Sequence, residues 1–311
     1  MWTVFWKELA DNFRSWRFFI IFIIICLAAL SATYTAGQTI IENVRQIPTD
    51  FIFLRLLTTS GTTLPSFIFF LSFFGPLIGI IFGFDAINSE RSRGTLSMVL
   101  SQPLYRDSLI NGKFLAGLAT VAIIIASIII IISGIGYRVI GVMPEPAEIV
   151  RIVIFFLICL LYIAFWLGLG ILFSVLFRRA ITSIMSAVSV WLVFTLFITM
   201  IAGLTAEWVA PVKDESDTQA VLEHQRVEDT AMRVSPTTLF NEATETVLNP
   251  GIRTLRGLVL VKEVQGMIAG PLSLGQSLML VWPHLVSLFT LTAICFAISY
   301  IKFMREEIRS T

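Results

Sequence analysis

Ionisable residues are scarce in this sequence. Asp, Glu, Lys and Arg make up 14% of 311 residues, against about 25% in an average soluble domain. With 56% hydrophobic residues and a mean hydropathy of +0.86, the chain is too apolar to stay soluble as a globular monomer. Disordered chains have the opposite composition. The net charge is only +1, so no basic stripe marks a nucleic-acid binder. Histidine occurs twice and cysteine three times. His224 and His284 lie far apart with no Cys or His beside them. Cys26, Cys159 and Cys295 each sit inside an apolar run. That spacing argues against both a metal centre and a disulfide framework, and the cysteines read as small buried hydrophobes. No Ser-His-Asp set and no carboxylate pair with supporting context is present, so no catalytic residues are expected.

What is abundant is long apolar sequence. A membrane-crossing helix needs about 20 mostly apolar residues. Six blocks qualify: Phe18–Ala36, Pro65–Phe84, Phe114–Tyr137, Ile152–Phe177, Ile184–Ala206 and Leu278–Ile301. Barrel strands would alternate in hydrophobicity, and these runs do not. The expected fold is an all-α polytopic membrane protein, a single transmembrane domain over 1–311. The first block follows a long segment that includes Glu8 and Asp11. The nearest small-x-small site, Ala29-Leu30-Ser31, is poor, so the block reads as a retained anchor.

Basic residues in short loops set the orientation. One side holds Lys7, Arg14, Arg17, Arg91, Arg93, Arg106, Lys113, Arg178, Arg179, Lys302, Arg305 and Arg309; the other holds Arg45, Arg55, Arg138 and Arg151. Both termini are therefore expected in the cytoplasm. No charged residue falls deep inside any block, which argues against a proton- or ion-coupled transporter. His284, near the outer end of the last block, reads as interfacial or packed rather than as a proton relay. Energy is then expected from outside the membrane domain.

Three elements lie between or before the spans. In residues 1–16, Trp2, Phe5, Trp6, Leu9, Phe13 and Trp16 recur at helical spacing, with Lys7, Glu8, Asp11, Asn12 and Arg14 in the other positions. This predicts an amphipathic helix lying at the interface of the lipid bilayer. In 85–113, a polar stretch from Asn88 to Arg93 leads into the apolar-leaning Gly94–Leu100, and Pro103 breaks the helix. A short helix there suits docking into a partner's groove; otherwise it is a basic loop that fixes topology. In 207–277, Ser235-Pro236 reads as N-cap and first helical residue. Leu239, Phe240, Ala243, Val247 and Leu248 then share a face until Asn249-Pro250-Gly251. This external helix could cap a translocation cavity, with Ser235, Pro236, Leu239 and Phe240 as gate candidates. A second apolar stretch, Leu258–Ala269, is too short to span.

The central loop resembles a known family. Glu90-Arg91-Ser92-Arg93-Gly94-Thr95-Leu96, then Leu100-Ser101-Gln102-Pro103-Leu104-Tyr105-Arg106, then Gly112-Lys113-Phe114 is similar to the cytoplasmic loop of ABC transporter permeases of the type 2 exporter class. Trp6-Lys7-Glu8-Leu9 is similar to that family's opening, and Ser235-Pro236 to a motif of its NosY-like branch. The resemblance implies six spans, an N-terminal interfacial helix, external helices before span six, and a coupling helix over Asn88–Leu100. That helix would sit on a separate ATP-binding subunit. Carried over, Asn88, Glu90, Arg91, Arg93, Gly94, Thr95 and Leu96 serve ATPase coupling, and Pro103 and Arg106 fix the exit toward span three.

The resemblance also implies a second permease copy or paralogue, a prokaryotic cell membrane, and ATP and Mg bound by the partner. A protein outside the membrane is a further possible partner. This chain has no P-loop, since Asp107 stands where the first Gly of G-x-x-x-x-G-K-[ST] belongs. Leu272-Ser273-Leu274-Gly275-Gln276 lacks the second Gly of the ABC signature. The expected function is an ATP-driven permease, moving hydrophobic or amphipathic cargo outward. The alternatives are an ATP-independent channel or secondary transporter, a mechanical subunit serving an external partner, and a membrane-embedded enzyme.

Overall fold

The computed structural model describes residues 1–42, 51–61, 64–92, 94, 106–141, 143–212, 217–250 and 272–305. Among them there is no strand, and six helices are long and apolar enough to cross a membrane. The chain is a multi-pass, all-α membrane protein. It opens with α1 (Trp2–Arg14) and α2 (Trp16–Glu42), separated by Ser15 in extended conformation. Next come α3 (Ile52–Thr58), α4 (Phe67–Gly83), α5 (Asn88–Ser92), α6 (Arg106–Ile140) and α7 (Pro146–Leu176). The fifth span is α8 (Ala180–Leu192), a π-helical turn (Val193–Phe197) and α9 (Ile198–Val209). It is followed by α10 (Thr218–Met232), α11 (Pro236–Leu248) and α12 (Leu274–Arg305). We call the end of the bundle that carries α1 and the end of α12 basal, and the opposite end distal.

Four of the six spans run past their apolar blocks at both ends, and α7 does so at its start. The 35 residues of α6 make a rod of about 52 Å, roughly 20 Å longer than a bilayer's hydrocarbon core. The helix of span four begins at Pro146 rather than Ile152, so Glu148 and Arg151 belong to it, both buried. Both lie in the first two turns of the helix, ahead of the apolar block that starts at Ile152. Both ionic groups are bonded at the distal end. The Glu148 carboxylate accepts from Glu145 N (2.9 Å) and from Phe53 N (3.0 Å) and Leu54 N (3.4 Å), capping the starts of α7 and α3 together. The Arg151 guanidinium donates to Val247 O (2.8 Å), Leu272 O (2.7 Å) and Ser277 Oγ (3.1 Å). Leu272 N also donates to Pro250 O at 2.9 Å. The end of α11 and the start of α12 are thereby fixed to each other and to α7.

Close packing in the centre depends on glycine. Gly75, Gly79 and Gly83 fall four residues apart on one face of α4, which lies against α7. A Cβ on Gly79 would stand 2.7 Å from Ile163 O and 2.8 Å from Leu167 N; one on Gly83 would stand 2.6 Å from Leu167 O. Gly170 of α7 meets Gly83 from the other side. Small residues at i, i+4, i+8 let two membrane helices touch backbone to backbone. The large core on this seam includes Leu71, Ile78, Ile80, Tyr162, Ile163 and Trp166. A smaller basal cluster joins Val4, Ile87, Leu109, Ile110, Val175 and Phe303.

Candidate functional site

The segment 85–113 begins as a direct continuation of α4. After Phe84 the chain turns once and resumes as α5. Two serines hold the turn. Ser174 Oγ accepts from Ile87 N (2.9 Å) and Asn88 N (3.1 Å). Phe84 O, deprived of the Asn88 N–H, accepts instead from Ser183 Oγ at 2.7 Å. Gly83 O, which loses the Ile87 N–H, accepts from Ala86 N at 3.2 Å, so the displaced groups are paired again. Asn88 is buried at 1% exposure. It offers no surface to a partner, and its backbone anchors α5 to α7.

α5 ends at Ser92, and Gly94 has φ 69 with nothing within 4 Å of an added Cβ. That left-handed conformation suits glycine and terminates helices. The helix that begins at Asn88 ends at Ser92, and residues 95–100 of the expected coupling helix lie outside the described residues. Arg93, Thr95, Leu96 and Pro103 lie outside the described residues. Arg106 is the first residue of α6.

Charge gathers behind α5. Lys113 Nζ is 2.8 Å from Glu8 Oε1 and 3.6 Å from Glu90 Oε1, with its own side chain only 6% exposed. Lys7 Nζ stands 3.2 Å from Glu8, 3.5 Å from Asp11 and 3.9 Å from Glu90. Burial pulls the Lys7 ammonium down, but Glu8, Glu90 and Asp11 together hold it above its ordinary value. Arg17 closes the set, at 2.7 Å from Asp85 Oδ2 and over the Phe84 ring. Glu90 is turned inward onto this cluster, where it links α5 to α1 and α6.

The N-terminal helix is present over Trp2–Arg14, and one half of its expected polarity is corrected. Val4 packs on Gly112, Glu8 bonds Lys113 and Asn12 Nδ2 donates to Thr120 Oγ1 at 3.1 Å. These contacts ascend both chains, so α1 runs in the same direction as α6. Glu8 and Asn12 lie on the packed face because α6 supplies a cation and a hydroxyl to meet them. Trp2, Trp6 and Trp16 remain exposed, Lys7 points to the carboxylates, and Leu9 is half-buried.

At the distal end, the expected gate residues fall together in the core. Ser235, Pro236, Leu239 and Phe240 are all buried. Ser235 occupies the N-cap position of α11 without capping it; its hydroxyl is aimed at Phe194 O, 3.4 Å away. The stretch Leu258–Ala269 lies outside the described residues. Ser273 and Gln276 form a reciprocal cap at the start of α12, which accounts for the signature-like residues there.

Sequence reading missed Glu242. It is buried between His284 Nε2 (2.7 Å) and Arg233 Nε (2.9 Å), tying α11 to α12. Burial pushes its carboxyl up, yet the hydrogen bonds and charges of His284 and Arg233 hold it below the usual carboxylate value. A lowered folded-state value gives stability that is present above the unfolded value, about 4.3. It is lost as pH falls through the folded one. Melting of wild type and Glu242→Gln between pH 3 and 7 should therefore differ most near neutrality and converge in acid. A gap that is constant with pH would refute the ionic role.

A family model described as ABC-2 family transporter protein matches residues 2–308. The chain belongs to the ABC-2 transporter family. The probable ABC transporter permease protein NosY of Pseudomonas aeruginosa is 31% identical over 119 residues, 37% of this chain. The match spans 38% of that relative's own length. This ABC-2 chain is accordingly a membrane subunit of an ABC transporter.

Proposed function

We propose that this chain is the membrane half of an ATP-driven transporter, with the basal end facing the cytoplasm of a prokaryotic cell. Separate ATP-binding subunits, carrying ATP and Mg, dock against α5 and the open face at Gly94. A second permease, identical or paralogous, completes the assembly. The observation that carries this reading is the position of α5. It continues α4, is bonded to α7 through Ser174, and is braced by Lys113 on α6 and by Lys7 on α1. A push on it reaches three spans at once. The uncharged middles of the spans favour hydrophobic or amphipathic cargo, moved outward. A mechanical role toward an external partner is the second reading, favoured by the fastening of α11 to spans four and six.

Gly94 provides the test. Gly94→Trp adds bulk where a Cβ meets nothing within 4 Å and forces a large side chain into a left-handed position, whereas Gly94→Asn keeps that conformation, which Asn tolerates. An ABC ATPase should co-purify with tagged wild type and with Gly94→Asn in mild detergent, and be lost with Gly94→Trp. Absence of any ATPase from wild type in several detergents would overturn the two-subunit reading, leaving the lone chain to be tested for flux.

A further inference from the structure

Three spans of this bundle carry a backbone irregularity among the described residues: Pro76 in α4, a π-helical turn in span five and Pro283 in α12; the first two meet the first turn of α11. The first is Pro76 inside α4. Proline has no N–H, so Ser72 O loses the donor that residue 76 would supply. The Tyr162 hydroxyl of α7 donates to Ser72 O at 2.8 Å and fills that vacancy. With its proton spent there, Tyr162 Oη accepts from Thr237 Oγ1 of α11, 3.1 Å away. The Tyr162 ring is also stacked on Phe240, centroids 4.4 Å apart and planes within 16°. The second irregularity is the π-helical turn of span five, whose Phe194 O faces Ser235 Oγ. The Trp166 ring stands edge-on to both Tyr162 and Phe194. The far end of α11 is held independently, by Glu242 on His284 and by Arg151 on Val247 O.

We propose that the first turn of α11 is a latch on these two hinge points, so that α4 bends at Pro76 only as the Tyr162–Thr237 contact opens. Displacement of the distal helix α11 and movement of α5, at the other end of α4, are then a single event. That the drive arrives at α5 rests on the function proposed above; the latch itself is a property of this chain alone.

Amide hydrogen exchange on the purified full chain tests it, without any ATPase. Tyr162→Phe orphans Ser72 O, a buried acceptor, and should raise exchange about tenfold in α4 around Pro76 and in the first turn of α11. Thr237 bonds Tyr162 of α7 and not the backbone of α4, yet Thr237→Val should raise exchange in α4 too. Pro76→Ala returns an N–H to Ser72 O, so Tyr162→Phe added to Pro76→Ala should leave α4 nearly unchanged. The latch is overturned if Thr237→Val acts on α11 alone, or if Pro76→Ala fails to suppress the effect of Tyr162→Phe on α4. Should wild type hold an ATPase while these variants exchange like wild type, the latch falls and the transporter reading stands. Should no ATPase associate, that reading falls and the exchange data still decide the latch.

Discussion

Gly79→Leu should yield no monodisperse protein in detergent. The new Cβ would lie 2.7 Å from Ile163 O, 2.8 Å from Leu167 N and 2.8 Å from Trp166 Cβ. Two of those atoms belong to the backbone of α7 and cannot rotate away. Overpacking a core that can adjust costs about 1–3 kcal/mol; here the only adjustment is separation of α4 from α7, which opens the seam at Gly75 and Gly83 as well. Total stability of a domain is about 5–15 kcal/mol, so the loss is disabling. Size-exclusion profiles of a fluorescent fusion would show it. Gly134→Leu is the control, since nothing lies within 4 Å of a Cβ at Gly134. Equal profiles for the two variants would disprove the seam.

Lys113→Met has the second large effect. It removes the cation facing both Glu8 and Glu90 and leaves two carboxylates, each under one-fifth exposed, with only the more exposed Lys7 nearby. Stranding charge in this way costs about 3 kcal/mol. α1 should detach from α6, seen as faster proteolysis of the first 14 residues and a lowered melting temperature. Adding Glu8→Gln should recover part of the loss, because the two side chains share one interaction. Strictly additive effects would show that Lys113 acts alone. The same variant should weaken nucleotide-driven signals from an attached ATPase, since α5 loses its brace against α6.

The six spans were legible because apolar blocks of that length have one solution in lipid, a helix with its backbone bonded internally. Helix ends were less legible. Hydropathy ends where charge begins, but α6 and α7 run on because Lys113, Glu148 and Arg151 find partners on other helices. The same cause hid the packed face of α1. Glu8 and Asn12 look solvated until Lys113 and Thr120 are placed opposite them, and no periodicity in residues 1–16 could announce that. The i, i+4, i+8 spacing of Gly75, Gly79 and Gly83 was open to inspection, whereas the approach of Gly170 to Gly83 appears only once α7 is laid against α4. In the basal segment, the burial of Asn88 and the inward turn of Glu90 depend on tertiary contacts, which a loop motif does not carry. The bond from Tyr162 to Ser72 was out of reach, although Pro76 itself signals that an acceptor four residues earlier needs a donor.

The fixed stems at Pro250 and Leu272 carry a consequence for how such chains can diverge. Leu272 N bonds Pro250 O, and Arg151 grips Val247 O and Leu272 O on either side. The bundle is therefore indifferent to how much chain is strung between those two points. Doubling the length of a loop adds only about 0.6 kcal/mol to the cost of closing it, so changes of length between Pro250 and Leu272 should leave the bonds at the two stems, and the spans they join, in place.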